Sequence, residues 1–109
     1  MYRVLFAMYR KEGTSAEDFV AHYRDSHIPI TSRFAGLRHY EVLPVTGTEE
    51  QDAPDAFAIM AFDSEEDFQA VLSSPEFAEA MEDSGKFVGR ASSYVVDQIP
   101  IVASEGAIR

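Results

Sequence analysis

Tyr2-Arg3-Val4-Leu5-Phe6-Ala7-Met8-Tyr9 is apolar on both parities: Tyr2, Val4, Phe6 and Met8 form one set, and Leu5, Ala7 and Tyr9 form most of the other. Side chains of a strand alternate between its two faces, so this segment reads as a strand covered on both sides. Ala56 to Phe62 repeats the pattern, with Phe57 and Ile59 set against Met60 and Phe62. Two other segments read as strands of a different kind. Leu37 to Val45 is mixed in polarity and carries Pro44, which marks a sheet edge because proline cannot donate to a hydrogen-bond ladder. Ser93 to Val102 is the last strand and is also mixed.

Helices fill the gaps. After the polar turn Arg10 to Gly13, Thr14 and Ser15 offer helix caps, and Glu17 follows Thr14 at the capping-box spacing. The first helix should run to about Ser26, because Pro29 disfavours helical geometry at Ile28 and ends or kinks the helix there. Phe19, Tyr23, His27 and Ile30 recur along one helical face. Asp63 and Ser64 are cap candidates for the second helix, and Glu65, Glu66 and Asp67 place negative charge on its positive end. Phe68, Val71 and Leu72 make its buried face. Ser74-Pro75-Glu76 restarts a helix after a break, and Gly85 stops it. Thr46 to Pro54 reads as a polar acidic loop and Ala103 to Arg109 as a tail.

The order is therefore β-α-β-β-α-β. In a ferredoxin-like α+β domain of this order, the first and third strands are central and the second and fourth lie at the edges of a four-stranded antiparallel sheet. The doubly apolar strands are the first and third, which fits that arrangement. Two helices cover one face only. The opposite face keeps its apolar side chains, and pairing with a second copy about a two-fold axis would bury them, so a homodimer is expected. The alternative is a monomer whose C-terminal tail folds across the sheet.

Composition narrows the function. The 109 residues make one domain, 1–109, and 46% of them are hydrophobic, enough for a core of its own. Nineteen acidic against nine basic residues give a net charge of -10, which repels phosphate backbones and anionic membrane surfaces, so neither nucleic acid nor membrane is an expected partner. No run approaches the roughly 20 apolar residues of a membrane span. The N-terminal apolar run reads as a strand and not a signal peptide. Cysteine is absent, which removes disulfides and thiolate metal sites and suits a reducing, cytoplasmic setting.

Phosphate-binding loops, dinucleotide fingerprints and nucleophile elbows are missing from the sequence. Three histidines remain: His22, His27 and His39. At roughly 100° per residue His27 falls near the centre of the Phe19-Tyr23-Ile30 face and points toward the sheet, where an imidazole can act as acid or base near neutral pH. The same position suits a core histidine that closes the helix on a backbone carbonyl. His22 falls well off that face and should be exposed or peripheral. His22 and His27 are five apart and share no face by this count, so no metal site is expected. His39 and Tyr40 point to opposite sides of an edge strand. Tyr23 and Tyr40 can each present a phenol to a pocket or pack with the hydroxyl at a wet rim. Eight Phe and five Tyr permit an apolar cavity between helices and sheet, or simply fill a core.

Phe19-Val20-Ala21-His22-Tyr23-Arg24-Asp25-Ser26-His27-Ile28-Pro29-Ile30 resembles the signature of the EthD-type family, named for ethyl tert-butyl ether degradation: an aromatic-rich helix running into a His-x-Pro step. Ala35-Gly36-Leu37-Arg38-His39-Tyr40 is similar to the family's Pro-Gly-Leu-Arg-x-Tyr segment, with Ala35 where proline is usual. Phe62-Asp63-Ser64, Ser73-Ser74-Pro75-Glu76 and Asp83 with Phe87 resemble its second half. The resemblance implies the dimeric α+β barrel superfamily, with its methylmuconolactone isomerases, polyketide cyclases, cofactor-free anthrone oxygenases and haem-degrading enzymes. It also implies His27 as the acid–base residue and sets Arg38 and Tyr40 in the segment that follows.

The expected function is an enzyme of isomerase, cyclase or oxygenase type. It would act without cofactor by proton transfer on a small, apolar, cyclic or carbonyl-bearing molecule of a degradative or secondary-metabolic pathway. His27 would move the proton, Tyr23, Arg38 and Tyr40 would hold the substrate, and Phe62, Phe68, Leu72 and Phe87 would line the cavity. The second reading is a non-catalytic module that binds a hydrophobic metabolite or assists an oxidative degradation system. A third, haem binding through His27 or His39, rests on fold analogy alone.

Overall fold

The computed structural model describes residues 1–102. The tail from Ala103 to Arg109, and with it the alternative of a tail folded across the sheet, lies outside the described residues. Four strands, β1 (Tyr2–Arg10), β2 (His39–Pro44), β3 (Ala56–Phe62) and β4 (Val88–Val96), form one antiparallel sheet in the order β2-β3-β1-β4. The two doubly apolar strands are thus central, as their patterning requires. The β1–β3 register pairs Tyr2 with Phe62, Val4 with Met60, Phe6 with Ala58 and Met8 with Ala56, which aligns one apolar row beneath the helices.

β4 begins five residues earlier than its composition suggests. The stretch Val88-Gly89-Arg90 is a weak strand former on its own, but β1 templates it, pairing Arg10 with Val88 and Tyr9 with Arg90. Gly89 sits at the bulge between them, and a Cβ there would lie 3.0 Å from the Arg10 carbonyl oxygen, so the backbones meet at this distance only because the residue has no side chain.

Both helical limbs are broken. The first comprises α1 (Ala16–His22), a π-helical turn (Tyr23–His27) and α2 (Ile28–Thr31). Ser15 is the cap, accepting the Asp18 N–H at 3.1 Å, so the Thr14–Glu17 box is not the one used. Of the two outcomes expected at Pro29, an end or a kink, the helix does not end: it continues through an interruption at the π-helical turn. Ile28 donates its N–H to the carbonyl of Tyr23, five residues back, and the widened turn admits Pro29 near the start of α2, where it owes no hydrogen bond. The second limb is α3 (Glu65–Leu72), capped by Ser64, then α4 (Pro75–Ser84), capped by Ser74. Ser64 accepts the Asp67 N–H at 3.2 Å. A Ser64→Ala variant should lose about 1 kcal/mol of stability, read from its denaturant midpoint.

Phe19, Phe62 and Phe87 are the largest fully buried side chains. The core falls into two clusters, one around Phe19, Tyr23 and Phe87, the other around Phe34, Phe62 and Val71, and Phe6 and Tyr40 pack against both. On the other side of the sheet the register brings Leu5 beside Ile59 and Ala7 beside Phe57, and Leu5, Phe57 and Ile59 stay half-buried with no helix over them. Among the described residues no helix is long and apolar enough to cross a membrane.

Candidate functional site

Between the two helical limbs and the sheet lies a cavity of about 580 Å³, walled mainly by apolar side chains such as Phe6, Met60, Phe68 and Leu72. Tyr23 and His27 reach it from the two ends of the π-helical turn, and Tyr40 and Thr31 complete this part of the wall. His27 is only 6% exposed, and its Nδ1 lies 3.0 Å from Oδ2 of Asp83 on α4. Asp83 is itself buried, and it gathers two more donors: the Ser26 hydroxyl at 2.8 Å and Nε2 of His22 at 3.1 Å.

His22 does not line the cavity and is peripheral to it, yet it joins the site through Asp83. The expectation that His22 and His27 share no face assumed an unbroken α-helix. The π turn between them closes its bonds over five residues, so positions five apart return to nearly the same side.

An ionised carboxylate only accepts, so both imidazoles donate to it: His22 through Nε2–H and His27 through Nδ1–H. That leaves His27 Nε2 unprotonated, and among the described residues it has no hydrogen-bond partner. Burial pulls the His27 pKa below its ordinary 6.5 and outweighs the opposing pull of Asp83, with His22 lowering it further. Burial pushes the Asp83 carboxyl up, but the bonds from Ser26, His27 and His22 together win and hold it below its ordinary 3.8. Near neutral pH the pair is a carboxylate and a neutral imidazole.

The phenols are held inward as well. Tyr40 meets the Thr31 hydroxyl at 2.7 Å, and Thr31 in turn donates to the His27 carbonyl at 3.2 Å. Tyr23 donates to Met8 Sδ at 3.4 Å, and its ring stands edge-on to His27, with centroids 5.4 Å apart. Burial raises the pKa of both tyrosines, foremost Tyr23, so both remain phenols.

The model of the EthD domain matches residues 11–91, a span that contains His22, Tyr23, Ser26, His27, Thr31, Tyr40 and Asp83. The chain belongs to the EthD family. An EthD family protein from Bacillus halodurans has the same fold with a TM-score of 0.75 at 24% identity, covering 91% of this chain and all of that one. A dimeric protein of unknown function and ferredoxin-like fold from Bacteroides fragilis superposes with a TM-score of 0.70 at 11% identity, covering 89% and 95% of the two chains. An antibiotic biosynthesis monooxygenase does so with a TM-score of 0.60 at 13% identity, covering 92% and 100%. At these identities the likeness concerns the fold alone. No curated protein matches the sequence.

Within this EthD domain the cavity brings together His27, Tyr23, Tyr40, Phe68 and Leu72, all singled out in the sequence. Three other expected residues lie elsewhere. Phe62 and Phe87 are 0% and 1% exposed and belong to the solid core; Phe87 backs the site by stacking on His22 at 4.4 Å between centroids. Arg38 is at the surface, where its guanidinium is held by Asp63 at 2.9 and 3.1 Å. It precedes the edge strand, and its charge is matched outside the core. His39 points to the uncovered side of the sheet, 3.7 Å from Glu41. Asp83, Ser26 and Thr31 were not anticipated as site residues. The signal for Asp83 was available: an acid three residues after Ala80, on the apolar stripe of its own helix. No group of three His, Cys, Asp or Glu side chains among the described residues is arranged to hold a metal ion.

Proposed function

We propose that this EthD domain is a cytoplasmic, homodimeric small-molecule enzyme. It works by cofactor-free proton transfer on an apolar, cyclic substrate, in an isomerase, cyclase or oxygenase type of reaction. The observation that carries the reading is the unprotonated Nε2 of His27 at the wall of an apolar cavity, with Nδ1–H anchored on buried Asp83. In the step envisaged, a substrate C–H or O–H proton moves to Nε2, and the imidazolium so formed is stabilised by the Asp83 carboxylate. In an isomerisation or cyclisation the same proton then returns to another atom of the substrate and no redox partner is consumed; in an oxygenase-type reaction the carbanion or enolate would instead pass its electrons to dioxygen, the oxidant, as the C–O bond forms. Asp83 is a positioning residue, fixing tautomer and ring orientation. Tyr23 and Tyr40 orient the substrate, and Phe68 and Leu72 enclose it. The likeness to an antibiotic biosynthesis monooxygenase supports small-molecule chemistry on this fold.

The test does not need the natural substrate. A bound cyclic ketone such as 2-tetralone, incubated with the protein in D2O, should take up deuterium at its acidic carbon faster than in buffer, as read by mass spectrometry. Ligands that stabilise the protein yet never exchange or turn over would favour the second reading, a binding or accessory module. The largely apolar lining supports that reading.

Pairing of two copies through the uncovered sheet face completes the proposal, supported by half-buried Leu5, Phe57 and Ile59 and by the dimeric Bacteroides fragilis neighbour. Ile59→Lys should shift the sedimentation coefficient from that of a dimer to that of a monomer; a wild-type monomer would contradict it.

A further inference from the structure

Counting hydrogens at the His27 end of the cavity shows which ligand it suits. His27 spends its Nδ1–H on the Asp83 carboxylate, which cannot give a proton back. Thr31 has one hydroxyl hydrogen and lies 3.2 Å from the His27 carbonyl, an atom that can only accept. With the Thr31 hydrogen placed on that carbonyl, Tyr40 donates in their 2.7 Å bond, in which either oxygen can serve as the donor. Tyr23 gives its hydrogen to Met8 Sδ. Four polar side chains have thus turned their hydrogens into the protein. What they leave toward the cavity is a bare imidazole nitrogen and oxygen lone pairs.

We infer that this end of the cavity selects a ligand bearing a hydroxyl donor on an apolar ring, a phenol or the enol of a cyclic ketone, over an isosteric ether or ketone that can only accept. The inference rests on reading the cavity as the substrate site, and it deepens that reading by naming the group that is recognised. A ligand O–H placed against His27 Nε2 satisfies the bare imidazole nitrogen of this wall. A ketone oxygen at the same place meets another lone pair, and both remain unsatisfied away from water. The remaining hydroxyls of the lining, Ser84, Ser92 and Ser93, belong to α4 and β4.

Three probes on a common two-ring frame test this: 2-naphthol, 2-methoxynaphthalene and 2-tetralone, titrated by calorimetry. The naphthol should bind about tenfold tighter than either of the others. Thr31→Val keeps the shape of the residue but removes the acceptor of the Tyr40 hydrogen, which then turns to the cavity. In that variant the preference should narrow several-fold through a gain by 2-tetralone. An ether or ketone that binds wild type as tightly as the naphthol, no saturable naphthol binding up to millimolar concentration, or an unchanged preference in Thr31→Val overturns the inference. Its failure is distinct from that of the enzymatic reading. Naphthol preference without deuterium exchange removes proton transfer and leaves the recognition standing; exchange without preference does the reverse.

Discussion

In a His27→Ala variant, deuterium uptake into a bound cyclic ketone is expected to fall by about 10²–10⁴-fold, the usual contribution of a positioned acid–base group. The ketone should still bind, because the apolar wall that holds it comes from other elements. The pH profile of the wild type carries a second part of the same result. The active form is the neutral imidazole, and burial lowers the His27 pKa from 6.5, so exchange should hold its plateau through neutral pH and begin to fall only below that ordinary value. In Asp83→Asn the acidic limb should move to still lower pH, since Asp83 is a group that raises the His27 pKa. The plateau should drop too, because an amide no longer enforces one tautomer. A His27→Ala variant that folds and exchanges at the wild-type rate would remove His27 from the chemistry.

The second large effect is on stability. Asp83→Ala removes one carboxylate and strands three donors, from Ser26, His22 and His27, the last almost fully buried. Losing the shared acceptor should cost about 3 kcal/mol, read from denaturant unfolding. The dependence on pH follows from the same groups. A carboxyl whose folded pKa lies below 3.8 contributes stability that is present above that value and is lost as pH falls through the folded pKa. His27 acts in the same direction at higher pH. Its folded pKa lies below 6.5, so the unfolded chain binds more protons below 6.5 and stability declines as the solution is acidified, until His27 charges in the folded state as well. The Asp83→Ala protein should therefore lose the acid step that begins near 3.8 while keeping a decline that begins near 6.5. An Asp83→Ala protein as stable as wild type would contradict the three-donor arrangement.

The parts of this molecule that local chemistry decides could be read in advance. The doubly apolar β1 and β3 announce themselves as central strands, and Ser64 as a cap, because each depends on residues within a turn or a strand. Phe68 and Leu72 follow from one helical stripe. What escaped the sequence depends on contacts far along the chain. A regular count of turns separates His22 from His27, and only the five-residue bonding of the π turn brings both to Asp83, more than fifty residues away. Arg38 looked like a binding group because a motif carries it, yet its charge is answered by Asp63 at the surface. Phe62 and Phe87 have the chemistry of cavity walls, but the packing of Phe19 and Phe68 against them closes the space they would have lined.

The most direct test is the ring of His27 itself, observed by long-range proton–nitrogen correlation at neutral pH. A neutral imidazole protonated at Nδ1, with a bare Nε2 whose resonance moves when 2-naphthol is added, is the predicted result. An imidazolium, an Nε2–H tautomer, or a ring indifferent to the ligand would contradict the account.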